Sequence, residues 1–307
     1  MSTFQIRVPA TSANLGPGFD SIGIALSKYV TLQCQPADTW SFGVPEEDQP
    51  HIPTGKDNLI YMTAIYTATA YGYEELPPYH VDLINDVPIA RGLGSSSTAV
   101  VGGIELANQL LNLELSRYEK LQLACAIEGH PDNVAPAIYG GIMVSSYDGD
   151  HLDFVQFTKG LEDLIWLAIV PDFHLETEKA RSLLPQEISY KQGVHASGTA
   201  NVLVAALAEQ NWELAGKMMM KDQWHQPYRK ELIPDFDAIA VKVKELNAAG
   251  MYISGAGPTM IALFEQLSED KLVLLQKELP AYQVEALQVD RHGLEVTSPS
   301  LSSGQAK

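Results

Sequence analysis

Residues 88–98 read Pro88-Ile89-Ala90-Arg91-Gly92-Leu93-Gly94-Ser95-Ser96-Ser97-Thr98, two glycines followed at once by three serines and a threonine. Such a run can do phosphate chemistry. Glycines let the main chain approach a ligand closely and take dihedrals that other residues avoid. A helix opening at the serines would turn unpaired N–H groups and the positive end of its dipole toward an anion. Hydroxyls beside phosphates can complete a Mg²⁺ shell. The same residues also fit an ordinary tight turn before a Ser-capped helix. The familiar nucleotide loops are excluded. No lysine follows the glycines, as a Walker loop requires, and Ser97 stands where a dinucleotide fingerprint needs its third glycine. Neither H-R-D-L-x-x-x-N nor D-F-G occurs, so the protein-kinase set is missing too.

Two further clusters carry polar chemistry. The segment Pro9 to Asp20 (PATSANLGPGFD) is dense in Gly, Pro, Ser and Asn and reads as a loop. Within it Asn14 and Asp20 offer an amide and a carboxylate to a small polar ligand. The segment from Glu128 to Asn133 packs Glu128, His130, Asp132 and Asn133 between apolar neighbours. It fits either a metal-ligand cluster or a polar helix end, although H-E-x-x-H spacing and paired cysteines are both lacking. Elsewhere Arg181 reads as a solvated charge, and Gly255-Ala256-Gly257 as the turn of a hairpin.

The elements that must position these groups follow from periodicity. Tyr79 to Val87 alternates apolar and polar, as a half-buried strand does, and Val100, Ile104, Ala107 and Leu111 recur at helical spacing. The glycine-serine run therefore joins a strand to a helix. Phe4 to Pro9, Ser21 to Leu26 and Tyr29 to Gln33 read as strands, and residues 36–56 as a connection. A helix is expected from an Asp57 cap through Ile60, Ala64, Ala68 and Tyr71. Ser116-Arg117-Tyr118-Glu119 is a capping box that opens a helix running to Glu128, stopped by Pro131. Strands are expected at Ile142 to Tyr147, Leu152 to Phe157 and the buried Ile165 to Val170. Thr177 opens a helix that Pro185 stops. Helices follow at Ser197 to Glu209 and Trp212 to Met220, then a loop at Trp224 to Arg229, and a helix from Asp235 closed by Gly250. Met251 to Phe264 reads as strand, turn, strand. A helix near Glu269 to Glu278 and strands at Val284 to Val289 and Leu294 to Val296 end the regular structure, and the Ser-rich end from Thr297 reads as a frayed tail.

The chain as a whole sets bounds. Its 307 residues suggest about two domains, and 46% apolar with 19% charged residues is globular composition. A net charge of −18 argues against nucleic acid or an anionic membrane as partner. It leaves room for an anionic nucleotide, because a dipole and Mg²⁺ can reverse the sign inside one pocket. Cys34 and Cys125 make no C-x-x-C or disulfide framework, which fits a reducing compartment. The N-terminus lacks the apolar core of a signal peptide, and no run is long enough to span a bilayer. A cytoplasmic location is expected.

Residues 88–96 resemble the P-x-x-x-G-L-G-S-S motif of the GHMP small-molecule kinases, with glycines, leucine and serines all in register. Residues 10–26, A-T-S-A-N-L-G-P-G-F-D-S-x-G-x-A-L, and the segment E-G-H-P-D-N-V-A-P-A-I-x-G-G from Glu128 resemble the forms these motifs take in the homoserine kinases of that family. The segment Met251 to Phe264 coincides with its third motif. The resemblance covers residue 5 to about residue 296. It implies an α+β fold: an N-terminal domain over 1–159 like ribosomal protein S5 domain 2, and a ferredoxin-like C-terminal domain over 160–307. It further implies transfer of phosphate from ATP to the hydroxyl of L-homoserine, in threonine biosynthesis. By the same resemblance residues 88–98 hold ATP, and Ser96 and Glu128 hold Mg²⁺. Asn14, Asp20, His130, Asp132, Thr177, Arg181, Arg229 and Gly255 bind the amino acid. Arg181 and Arg229 are assigned to its carboxylate, two guanidinium forks being suited to one carboxylate. Mevalonate-type relatives place an Asp near the acceptor hydroxyl. Here that slot falls to Asn133, which cannot take a proton, so the expected reaction has no dedicated protein base. A homodimer is the family's expectation.

Overall fold

The protein is described from a computed structural model, which covers residues 2–297. Of the Ser-rich end only Thr297 falls within the described residues, and it closes a strand. In chain order the first part comprises β1 (Phe4–Ala13), β2 (Ile22–Pro36), β3 (Ser41–Gly43), α1 (Leu59–Ala70), β4 (Tyr79–Asn85), α2 (Ser95–Leu111), α3 (Arg117–Glu128), α4 (Val134–Tyr139), β5 (Ile142–Tyr147) and β6 (Leu152–Phe157). The second comprises β7 (Ile165–Pro171), α5 (Thr177–Ser182), α6 (Tyr190–Ala208), α7 (Trp212–Met219), α8 (Gln226–Arg229), α9 (Phe236–Glu245), β8 (Gly250–Ile253), β9 (Met260–Phe264), α10 (Glu269–Glu278), β10 (Tyr282–Leu287) and β11 (Glu295–Thr297).

The strands form two sheets. The larger has the order β11-β1-β2-β4-β3, with β5 pairing both β2 and β6. Its centre is β2, whose start pairs β5 (Ile22↔Val144) and whose end pairs β4 (Val30↔Asn85). The smaller is antiparallel throughout, in the order β10-β7-β9-β8. Numbered by their own succession these strands lie 4-1-3-2, the arrangement of a ferredoxin-like β-α-β-β-α-β unit. The fold is α+β, as the family resemblance implies.

The apolar run of β7 follows from its place between two cores. Trp166, Ala168 and Val170 pack into the larger core, and Leu167 and Ile169 into the smaller. The same alternation runs along β9, with Ile261 and Leu263 on one side and Met260, Ala262 and Phe264 on the other. A sheet covered on both faces has no polar positions to alternate with.

Several boundaries differ from the sequence reading for identifiable local reasons. Residues 9–13 are not loop: β1 continues to Ala13 past an irregularity at Pro9/Ala10, because its partner β2 is long enough to keep pairing. One strand, Ile22–Pro36, stands where two were expected over Ser21 to Leu26 and Tyr29 to Gln33. Residues 36–56 include β3, parallel to β4. Asn58, not Asp57, caps α1, its side chain accepting from the Ile60 N–H at 2.9 Å. The Ser116 capping box forms in both directions, but α3 stops at Gly129 (φ 83°) ahead of Pro131, and the short α4 follows. Asn247 and Ala248 already leave α9, so Gly250 opens β8 instead of closing that helix. Residues 226–229 are helical rather than loop. The Asp222 carboxylate accepts the N–H groups of Trp224, His225 and Gln226 at 2.7, 3.0 and 2.7 Å and starts that turn.

Helix α2 presses against α1 along Gly103. A Cβ there would stand 2.5 Å from the Ile60 carbonyl oxygen and 2.7 Å from Thr63 Cβ. Gly198, inside α6, has nothing within 4 Å of the corresponding point. One substitution therefore has opposite signs at the two sites. Gly198→Ala is expected to raise stability by about 1 kcal/mol through helix propensity. Gly103→Ala is expected to lower it by about 1–3 kcal/mol, overpacking outweighing the same gain. Thermal or urea unfolding of the two variants checks this.

Candidate active site

Helix α2 begins at Ser95 after Gly94, whose φ of 72° places it in the left-handed region, and no side chain caps the helix. A plain Ser-capped helix start is therefore not what is built. The first N–H groups of α2 stay open where the cleft borders Gly94 through Ala99. The serine hydroxyls go elsewhere. Ser96 Oγ and Ser97 Oγ donate to Glu128 Oε1 and Oε2, each at 3.2 Å. Glu128 closes α3, so the loop and the third helix meet at one carboxylate. Thr98 Oγ1 turns back to the Ser95 carbonyl at 2.8 Å. The glycines are needed for space as well as for φ. A Cβ on Gly94 would lie 2.1 Å from Thr11 Oγ1, and one on Gly92 2.5 Å from the Ser254 carbonyl.

The cleft here has a volume of about 880 Å³. Of residues 88–98, Ile89 to Gly92 and Gly94 to Thr98 line it. Pro88 and Leu93 do not, and Leu93 is 1% exposed beneath the loop. Arg91 borders the cleft but directs its guanidinium to the Pro171 carbonyl at 2.9 Å and to Asp172 at 3.1 Å, tying the loop to the end of β7.

All the other residues singled out from the sequence line the same cleft: Asn14, Asp20, Glu128, His130, Asp132, Asn133, Thr177, Arg181, Arg229 and Gly255. Asn14 and Asp20 both have positive φ, 76° and 54°, a region Asn and Asp tolerate better than most residues. The Asn14 amide is spent internally. It accepts the Asp20 N–H at 3.0 Å and donates to the Gly255 carbonyl at 3.1 Å, so Asn14 sets the loop from which Asp20 projects. Asp20 receives both terminal nitrogens of Arg181, at 3.0 and 3.1 Å. The second arginine, Arg229, is 2% exposed and donates to the Gly255 carbonyl at 2.8 Å. Asn133 Oδ1 accepts from Thr11 at 2.9 Å, and its amide nitrogen lies 3.4 Å from Asp132.

Electrostatics in the cleft follow from these contacts. Burial disfavours the His130 imidazolium, but the Asp132 carboxylate at 2.6 Å outweighs it, and the pKa is raised. Burial and the nearby Arg181 charge push the Arg229 guanidinium down to about 10, still cationic at neutral pH. Donor atoms of Asp20, His130 and Asp132 lie within 4.8 Å of one another, a spacing that could hold a metal ion. Yet Asp20 is engaged by Arg181, and the His130 Nδ1 and Asp132 Oδ1 bond each other.

The sequence reading missed part of the cleft lining. There His51, Ile52, Pro53, Asn58, Leu59 and Ile60 line the wall, with Val30 and Leu83 from the first sheet. No motif marks these residues: His51, Ile52 and Pro53 lie in the connection whose structure the sequence left open, and the others lie at the start of α1 and in expected strands.

Comparison with known proteins places these features in a family. The N-terminal domain profile of the GHMP kinases matches residues 58–141, and the C-terminal profile matches residues 203–279. A homoserine kinase of Halalkalibacterium halodurans is 44% identical over 95% of this chain and 94% of its own. One of Streptococcus suis is 43% identical over 95% and 99%. The solved homoserine kinase of Cytophaga hutchinsonii superposes with a TM-score of 0.82 at 28% identity, covering 97% of this chain and 98% of that one. A mevalonate kinase shares the fold at a TM-score of 0.69 and 19% identity. With identity above 40% over nearly the full length of curated relatives, and with both family models matched, the chain belongs to the homoserine kinases of the GHMP kinase family.

Proposed function

We propose that this chain transfers the terminal phosphate of ATP to the side-chain hydroxyl of L-homoserine, giving O-phospho-L-homoserine, the step of threonine biosynthesis that the resemblance implies. The observation that carries the reading is the cleft itself. The uncapped start of α2, Arg181 and Arg229 all border it. The loop from Ile89 to Thr98 would receive the nucleotide phosphates on backbone N–H groups. The apolar wall at Ile52, Leu59 and Ile60 would cover the base. Arg181 and Arg229 would grip the amino-acid carboxylate, with Asp20, His130, Asp132 and Thr177 around the rest of the substrate.

Ser96 and Glu128 would hold Mg²⁺, one hydroxyl and one carboxylate being hard oxygen donors at the phosphate end. The Asp20, His130, Asp132 group fits less well, because its donor atoms are already paired and one of them is an imidazole. When bound, the ion neutralises charge on the phosphates. Asn133 has its carbonyl committed to Thr11, which supports a reaction in which the hydroxyl proton leaves to phosphate or solvent. We further place the division of the chain at residues 159 and 160. The first sheet's β6 ends at Phe157 and β7 opens the second sheet at Ile165, although β11 returns to the first. Family membership supports a cytoplasmic homodimer. No helix of the described residues is long and apolar enough to cross a membrane, and the charge of −18 speaks against nucleic acid.

Release of ADP from Mg-ATP, assayed with L-homoserine, L-serine, L-threonine, mevalonate and galactose, tests the reading, with activity confined to homoserine expected. Arg181→Gln and Arg229→Gln should each raise the KM for homoserine roughly 10–100-fold, the worth of one charge-assisted hydrogen bond, and leave the KM for ATP nearly unchanged. An Asp132→Asn enzyme should weaken homoserine binding. Normal binding with turnover alone lost, and a pKa missing from the pH–rate profile, would instead establish Asp132 as a base. The His130–Asp132 pair adds a pH dependence. Because the folded pKa of His130 is raised, its contribution to stability is full below about pH 6.5 and is lost as the pH rises through the folded value. The gap in thermal midpoint between the wild type and His130→Gln should therefore shrink on going alkaline. A gap independent of pH contradicts it.

A further inference from the structure

Beside the two arginines the protein buries a histidine to which the reaction described above gives no task. His225 has no exposed surface. Its Nε2 lies 3.0 Å from the Gly16 carbonyl oxygen and 3.5 Å from Asp222 Oδ2. Both neighbours only accept, so Nε2 carries the ring proton. Burial, and then the charge of Arg229, push the pKa of His225 down to about 3, so the ring is neutral. A neutral imidazole protonated at Nε2 presents a bare Nδ1. That nitrogen faces Arg229 Nη1 at 3.3 Å and accepts from it.

The rest of the guanidinium is held as firmly. Nη1 also donates to the Gly255 carbonyl at 2.8 Å, and Nε reaches the Ala180 carbonyl at 3.4 Å. Among the described residues no acceptor is assigned to Nη2, and Arg229 borders the cleft. Phe19 completes the packing. Its ring stacks on His225 at 5.5 Å and 28°, and the Arg229 guanidinium carbon lies 5.3 Å from its centroid. The opposite tautomer, or an imidazolium, would turn an N–H toward an N–H of the arginine.

We propose that His225 is a positioning residue for the substrate carboxylate, its bare Nδ1 fixing the fork of Arg229 and tying that fork to the turn at Gly16. The inference rests on the reading in which Arg229 grips the carboxylate. His225 touches no reacting atom and acts only through the arginine.

Two variants separate positioning from simple packing. In His225→Asn the side-chain carbonyl can stand where Nδ1 stood and keep an acceptor for Arg229. In His225→Gln the amide can reach the Gly16 carbonyl but leaves Arg229 without that acceptor. We would measure kcat, the KM for homoserine and for ATP, and the thermal midpoint, with 3-aminopropan-1-ol as a substrate lacking the carboxylate. His225→Gln should raise the KM for homoserine about tenfold or more. Its kcat, its KM for ATP and its kcat/KM on the amino alcohol should stay close to wild type. His225→Asn should lie nearer the wild type on homoserine. Equal effects of the two substitutions, or a parallel fall in every parameter, would overturn the proposal. Arg229→Gln runs alongside. If it raises the homoserine KM while His225→Gln does not, the positioning role fails alone; if it changes nothing, the carboxylate reading fails first. Nitrogen NMR of the labelled wild type decides the tautomer even if a variant fails to fold. A pyridine-type Nδ1 on His225 is expected, and a protonated Nδ1 refutes the inference.

Discussion

Ser254 Oγ lies 2.5 Å from the Gly92 carbonyl and 2.7 Å from Ser12 Oγ, and Ser12 Oγ lies 2.9 Å from the Tyr252 hydroxyl. The side chains of Ser12, Tyr252 and Ser254 are buried, and around them the end of β1 meets two turns of the backbone. The Gly255 N–H donates to the Ala13 carbonyl at 3.2 Å, and the Thr259 N–H to the Arg91 carbonyl at 3.2 Å. The end of β1, the glycine-serine loop and the turn between β8 and β9 are thus held as one object, although β1 and that turn belong to different sheets. Polar groups this deep are costly unless paired, and here they pair with one another. The positions of Asn14, Gly94 and Arg229 all derive from this junction, and a side chain on Gly92 would push it open.

Charge in the cleft is arranged by burial rather than by the chain's overall balance. The Arg181–Asp20 pair is bidentate but its side chains are 45% and 32% exposed, so it adds little to stability and can open for a ligand at small cost. Arg229 is the opposite case: buried, fixed by carbonyls and an imidazole, and already desolvated before any anion arrives. In the proposed reading, a carboxylate entering between the two would meet one arginine engaged by Asp20 and one that is preorganised. Preorganisation lowers the ordering cost of binding. A chain of net charge −18 can therefore still present a cationic end to a small acid.

Much of this was legible in the sequence, for reasons that differ by residue. The strand–loop–helix around Gly92 and Gly94 showed itself because period-two and helical patterns flank it directly. Ser116 and Glu119 announced their helix start because a capping box is a local device. Asn14, Arg181 and Arg229 are separated by long stretches of chain, and only likeness to a family joined them. The α8 turn was hidden because it depends on one carboxylate, Asp222, folding back on three N–H groups. The apolar wall at residues 51–60 was hidden because shape, not residue type, makes it a wall. Nor does anything local distinguish His225 from an ordinary core histidine, since its role lies in which nitrogen faces which neighbour.

The last strand has a consequence for how the molecule is made. Gln5 pairs with Thr297, and Leu26 bridges to Val289, so the beginning of the chain waits for its end. The outer strand of the second sheet, β10, is also late, and β7 has no other neighbour on that side. During synthesis β1 and β7 each lack one strand partner until residues 282–287 and 295–297 have been made, and unpaired strands invite pairing with other chains. A nascent chain halted near residue 280 would carry every residue of the cleft and still lack β10 and β11.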